Sequence, residues 1–311
     1  MNMKGDIREL IREKGELEAR LKLIPYDGSP EVKENKSGKY LYIRKRVAGR
    51  LTSTYVDVYS DDLYQLLLRN AKEAREIKKL LRKVEKQLAE LGYTKEEMPA
   101  NVIANLDFAR ANIKTSIYDQ AILEGVSTTF PQTEDIIENG TVNGMTVSDV
   151  QKILNLKHAW EFILDEDVIR AASDYYLLCH IARLINEGLY DEGGRLRGVQ
   201  VTIGGSSYVP PLPIEPDIKE RLHGIVSSAG SDIDKAVELC MYVMKTQAFI
   251  DGNKRAAVIF ANHYLISKGQ GLLVVPEKYV SDFKKLLIEY YEGEDIGTIR
   301  EFLKNHCWIR C

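Results

Sequence analysis

Apolar positions along the chain recur mainly at helical spacing, with a few short stretches of period two. Ile7, Leu10, Ile11, Leu17 and Leu21 predict an opening helix, and Ile77, Leu81, Val84, Leu88 and Leu91 step by four and three as in a coiled-coil seam. Two such helices predict an antiparallel arm. Between them, residues 39–47 and 51–58 are rich in Tyr, Val, Ile and Thr and flank Ala48-Gly49-Arg50, which predicts a β-hairpin at the arm's tip. Further along, Ile233, Ala236, Val237, Cys240, Val243 and Met244 predict a helix capped by Ser231-Asp232 and ending near Lys245-Thr246. Arg255 to Ser267 reads as a second helix, apolar nearly all round and therefore buried. Val199, Val201 and Ile203 alternate with polar residues as in a strand, before a turn at Gly204-Gly205 and a stop at Pro210-Pro211. The pattern predicts a mainly α protein with a strand-like segment before its later helices, preceded by a helical coiled-coil arm that bears a β-hairpin.

Charge divides the chain where the pattern does. Residues 1–98 hold 22 Lys+Arg against 17 Asp+Glu, net +5, whereas residues 99–311 hold 21 against 29, net −8. The asymmetry predicts a domain boundary near Met98-Pro99, with an arm at 1–98 and a second domain at 99–311. No apolar run is long enough to span a bilayer and no signal-peptide pattern follows Met1, so the expectation is a cytoplasmic protein with no membrane partner. Four cysteines do not suggest a disulfide framework, and His306, Cys307 and Cys311 lack the second pair that structural zinc needs.

Candidate chemistry concentrates in Gln247-Ala248-Phe249-Ile250-Asp251-Gly252-Asn253-Lys254-Arg255, between the two later helices. A loop that ends at a helix N-terminus offers unpaired backbone N–H groups and the positive end of the helix dipole. Gly252 lets the backbone approach a phosphate, and Lys254 and Arg255 add charge, Arg255 in the fork that suits phosphate oxygens. Asp251 is the loop's one carboxylate, placed to share Mg²⁺ with a nucleotide's phosphates. The plainer reading of Asp-Gly-Asn is a turn before a solvated helix start.

These nine residues resemble the signature of the Fic family, His-x-Phe-x-Asp/Glu-Gly/Ala-Asn-Gly/Lys-Arg, with Gln247 where the family places its general base and a Doc-like Asn-Lys-Arg. The resemblance runs from about Pro99 to the C-terminus and implies a Fic-like helical bundle. It also implies transfer of AMP, or in the Doc branch a phosphoryl group, from ATP or another nucleoside triphosphate with Mg²⁺ to a protein hydroxyl. It assigns Gly252, Asn253, Lys254 and Arg255 to phosphate binding and Asp251 to the metal. It makes Thr202, Ile203, Gly204 and Gly205 part of a flap hairpin that pairs with the target segment. Ser116 to Thr129 is similar to the family's inhibitory helix, with Glu124-Gly125 matching and Gln120 in place of a hydroxyl residue. The family's second arginine is replaced by Val258, so Lys254 or Arg255 is expected to pair with Glu124 instead.

Glutamine can hydrogen-bond a hydroxyl but cannot take its proton at neutral pH. The sequence therefore supports first a weakened Fic-type enzyme, with Gln247 orienting the target, and as the competing reading a non-catalytic nucleotide-binding or regulatory protein. A third reading lies in the arm, where Tyr40, Tyr42, Arg44 and Arg46 share one strand face suited to stacking on bases and contacting phosphates. From sequence the preferred reading of that face is a surface for a protein partner or a second copy of the chain, giving a homodimer. His263, two turns into the helix after Arg255, is too far along it to replace the base.

Overall fold

The computed structural model describes residues 3–47, 50–95, 97–140, 144–293 and 295–311, without side chains for 3–5 and 47. Two compact units divide the chain, Met1–Thr94 and Lys95–Cys311.

In the first unit, α1 (Met3–Leu23) and α2 (Asp61–Glu90) flank a three-stranded antiparallel sheet, β1 (Ser29–Asn35), β2 (Gly38–Val47) and β3 (Arg50–Val58), in the order β1-β2-β3. Ser60 caps α2 by accepting from the Leu63 amide. Of the seam that the four-and-three spacing predicts, Ile77, Val84 and Leu88 are buried along α2 and Leu81 and Leu91 are half-buried. The expected hairpin of β2 and β3 is present, with its Ala48-Gly49 turn outside the described residues. β1 is a correction to the two-strand expectation. Its residues Ser29-Pro-Glu-Val-Lys-Glu-Asn are mostly polar and exposed, because an edge strand needs only backbone pairing to β2. One sheet face buries Leu41 and Ile43 against Leu67 of α2, with Val56, Tyr59, Leu63 and Tyr64 around them.

The second unit is a helical bundle, with ten helices among its described residues. In chain order they are α3 (Ala100–Ala111), α4 (Ile113–Leu123), α5 (Phe130–Asn139), α6 (Val147–Ile163), α7 (Tyr175–Ile185), α8 (Glu215–Ser227), α9 (Asp232–Thr246), α10 (Asn253–Ser267), α11 (Val280–Tyr291) and α12 (Ile296–His306). A two-stranded pairing of β4 (Leu272–Leu273) with β5 (Trp308–Ile309) ties the C-terminus to the end of α10. Buried α10 lies at the centre and packs on α9, α7, α6 and α3. Two of its polar residues, Asn262 and His263, are satisfied there. Asn262 bonds Val258 O, Leu273 O and Leu273 N, and His263 bonds Ser173 Oγ and Val168 O. Burial pulls the His263 imidazole down to about 4, so it is a neutral core residue and not a base for the loop.

α9 starts at its Ser231 cap as the sequence predicts, but α10 begins at Asn253, two residues before Arg255. The strand expected over Val199, Val201 and Ile203 does not form. Residues 199–203 run without a ladder to a turn in which the Ser206 amide donates to Ile203 O at 3.2 Å, so the flap has the path of a hairpin without its pairing.

No helix among the described residues is long and apolar enough to cross a membrane.

Candidate functional site

The motif loop is built by two left-handed residues, one at each end. Gln247 closes α9 at φ 46°, ψ 54°, and Gly252 opens α10 at φ 76°, ψ 10°. Gly252 is required twice over, since a Cβ there would lie 3.0 Å from Ile185 Cγ2 and 3.1 Å from the Asn186 side chain. Asn253 holds the loop shut. Its Oδ1 accepts from the Phe249 amide at 3.0 Å, and its Nδ2 donates to Phe249 O at 2.8 Å and to Gln247 Oε1 at 3.1 Å. Phe249 is buried beneath.

The Gln247 side chain is engaged within the loop itself. Its Nε2 donates to Met244 O at 2.6 Å while Oε1 accepts from Asn253, so both ends of the amide serve the loop. Tyr291 of α11 is also a hydrogen-bond neighbour of Gln247. Burial, with the nearby Glu124 carboxylate, holds that phenol well above its ordinary range and keeps it protonated.

Arg255 is almost wholly buried at the start of α10, where Nη2 donates to Asp251 Oδ2 at 2.7 Å and Nη1 to Ile185 O at 3.4 Å. The structure also brings Glu124, the C-cap of α4, to this place. One carboxylate oxygen lies 3.8 Å from Lys254 Nζ and the other 3.8 Å from Arg255 Nε. Both cations share the pairing that Val258 cannot make. Neither contact is a hydrogen bond, and Glu124 Oε1 and Arg255 Nε are both buried without a hydrogen-bond partner. The Glu124 carboxylate, 12% exposed, and the buried Arg255 guanidinium thus stand at ion-pair distance with unused hydrogen-bonding capacity on each side. Gln120 fixes α4 in this position by donating to Arg255 O at 2.8 Å and accepting from Trp160 Nε1 at 3.0 Å.

Asp251 is partly exposed and uses one oxygen on Arg255. No group of three or more His, Cys, Asp or Glu residues suited to a metal occurs among the described residues. Asp251 therefore fits Mg²⁺ only as one ligand of an ion held largely by phosphate oxygens and water.

Sequence reasoning passed over Arg197, which the structure makes the anchor of the flap. Its Nε donates to Gln247 O at 2.6 Å, Nη1 to Val199 O at 2.7 Å, and Nη2 to Pro210 O at 3.2 Å and Pro211 O at 2.6 Å. One buried guanidinium thus joins both arms of the flap to the motif loop. Thr202, Gly204 and Gly205 are exposed at its tip and Ile203 is half-buried. The return arm is fastened to α11, where Glu292 Oε1 accepts from the Ser207 amide at 2.8 Å and Tyr208 stacks on Tyr291 at 6.3 Å. The signal available in sequence was an arginine just before the flap, and nothing marked its carbonyl partners.

Comparison with known proteins agrees with this fold. No curated protein matches the chain. Residues 5–65 match a domain of unknown function, DUF6788. Among solved structures, Fic-1 of C. elegans is similar at 20% identity with a TM-score of 0.52, over 79% of this chain and 73% of that one. A Fic domain containing signaling protein from Bacteroides thetaiotaomicron is similar at 14% identity with a TM-score of 0.52, over 68% of this chain and 86% of that one. At these identities the likeness is one of fold. The sequence model of the Fic/DOC family matches residues 172–265, the stretch that runs from α7 through the flap and the motif loop into α10, and the chain carries a Fic/DOC family domain there.

Proposed function

We propose that the loop from Asp251 to Arg255 binds the phosphates of a nucleoside triphosphate, and that the domain transfers AMP or a phosphoryl group slowly to a protein hydroxyl. The observation that carries this reading is the Glu124 carboxylate 3.8 Å from both Lys254 Nζ and Arg255 Nε at the N-terminus of α10. Helix-end amides and two cations form a site for negative charge, and a carboxylate of the protein itself occupies it. A phosphate, with more oxygens and more charge, competes for the same donors. Glu124 is then an intramolecular competitor whose displacement accompanies productive nucleotide binding.

Each side chain has a task in this reading. Lys254 and Arg255 neutralise phosphate oxygens, Asn253 keeps the loop in shape, and Arg197 holds the flap over the loop. Bound Mg²⁺ would neutralise phosphate charge, with Asp251 as its protein ligand. The missing step is proton removal from the attacking hydroxyl, for which Gln247 has no basic atom and Tyr291 is held protonated. A second reading, nucleotide binding without transfer, is favoured by the engagement of both ends of the Gln247 amide within the loop.

Transfer of label from ATP to the protein itself and to lysate proteins, compared between the unaltered chain and Gln247→His, tests the proposal. A positioned base is expected to raise transfer by about 10²–10⁴-fold. If neither protein transfers anything although both bind nucleotide, the non-catalytic reading stands. If the unaltered chain already transfers as fast as the variant, Gln247 is not the defect.

A further inference from the structure

The sheet of the first unit has a second face, opposite the one that packs on Leu67 of α2. Pairing registers put Lys33 of β1, Tyr40, Tyr42, Arg44 and Arg46 of β2 and Tyr55 of β3 on that side, opposite Leu41 and Ile43. The three tyrosines cluster. The Tyr55 ring centroid lies 5.6 Å from that of Tyr42 and 6.3 Å from that of Tyr40, with interplanar angles of 73° and 51°. Tilted in this way, the rings do not stack on each other. Tyr55 is 49% exposed, and the Lys33 ammonium sits 4.1 Å over the Tyr42 ring, as a cation does on an accessible aromatic face.

Two carboxylates approach this face. Glu31 lies 3.7 Å from Lys33 and 3.9 Å from Arg44, and Asp57 near Tyr55 accepts from the Val58 amide. Arg46 is exposed and has no acidic partner among the described residues. The face therefore combines aromatic rings with a cationic border in the half of the chain whose net charge is positive.

We propose that this face binds a single-stranded nucleic acid, a base stacking on the exposed Tyr55 ring and its phosphates meeting Arg44, Arg46 and Lys33. Stacking of this kind tolerates any base, and the arginines follow the backbone. A duplex keeps its base faces within its own stack, so only the cationic border would be left to contact it. A protein partner would also use tyrosine and arginine. The ring cluster with its cationic edge favours the polyanion, and the other occupants become outcomes of the test.

The test is fluorescence anisotropy of the full chain with labelled oligo(dT) and oligo(rU), a duplex of the same length, and heparin as competitor. Both single strands, or one of them, are expected to bind more tightly than the duplex; which one it is distinguishes DNA from RNA. Tyr55→Ala is expected to weaken binding by about five- to hundred-fold, whereas Tyr55→Phe keeps the ring and the affinity. Arg44→Ala and Arg46→Ala should each flatten the slope of log affinity against log salt by roughly 0.7. Far-UV circular dichroism of each variant confirms that the sheet persists. The proposal is overturned by no binding at low salt, or by equal binding of duplex and single strand that Tyr55→Ala leaves unchanged. It is also overturned if Tyr55→Ala dissolves a dimer while no oligonucleotide binds, which would give the face to a second copy of the chain.

Discussion

Gln247 adopts a left-handed backbone conformation that glutamine rarely takes, and two side-chain hydrogen bonds compensate for it. Histidine enters that region more readily than most residues, so Gln247→His suits the backbone as well as supplying a base. Asp119 on α4 is a second residue under strain, of an electrostatic kind. Burial raises its carboxyl to about 6 from an ordinary 3.8, the Glu277 carboxylate adds to the rise, and the Glu277 amide, donating at 3.0 Å, opposes it. A carboxyl whose folded value is raised favours the native state below the unfolded value, and that advantage is lost as pH climbs from about 4 to about 6. The loss is up to about 3 kcal/mol for a shift of this size. Asp119→Asn should therefore be more stable than the unaltered chain at pH 7.5 by up to that amount, and no more stable at pH 4. Urea unfolding at the two pH values checks this, and parallel behaviour would exclude Asp119 as the source. His263 works in the opposite sense, since its depressed value makes stability fall as pH drops from about 6.5 toward 4. The comparison must accordingly be made between variant and parent at each pH.

At the scale of elements, the flap shows what sequence could and could not reveal. The alternation at Val199, Val201 and Ile203 suggested a strand, yet Arg197 engages Val199 O, Pro210 O and Pro211 O, carbonyls that an isolated hairpin would spend on pairing or water. The ends of the loop are thus fixed by a side chain and not by a ladder. Arg197→Lys keeps the charge but cannot reproduce a four-carbonyl fork, so it should cost about 2 kcal/mol or more. It should also make residues 198–211 a preferred site of limited proteolysis; cleavage unchanged from the parent would show that the fastening to Glu292 is sufficient. The helices flanking the motif are legible because Ser231 caps one and the other is apolar nearly all round from Arg255, although its first two residues are not marked. Strand β1 is not legible, because Ser29 to Asn35 carries no apolar alternation and owes its conformation to a neighbour. The pairing of Glu124 with Lys254 or Arg255 is legible from the family resemblance, but that both cations share it at 3.8 Å depends on the hold of α4 against Arg255 through Gln120.

For the molecule as a whole, the charge difference between the first hundred residues and the rest accompanies two different chemistries. The first unit presents tyrosine and arginine on an open sheet, and the second surrounds a helix N-terminus with cations and fills it with its own carboxylate. The central claim concerns that second place, that the anion site at α10 is a nucleotide site held closed by Glu124. Calorimetric titration of Mg-ATP into the unaltered chain and into Glu124→Gly tests it most directly. Removing a competitor that must be displaced should tighten binding by about tenfold or more, equivalent to about 1.4 kcal/mol. Equal affinity in the two proteins would contradict the closure by Glu124, and no binding by either would contradict the nucleotide site itself.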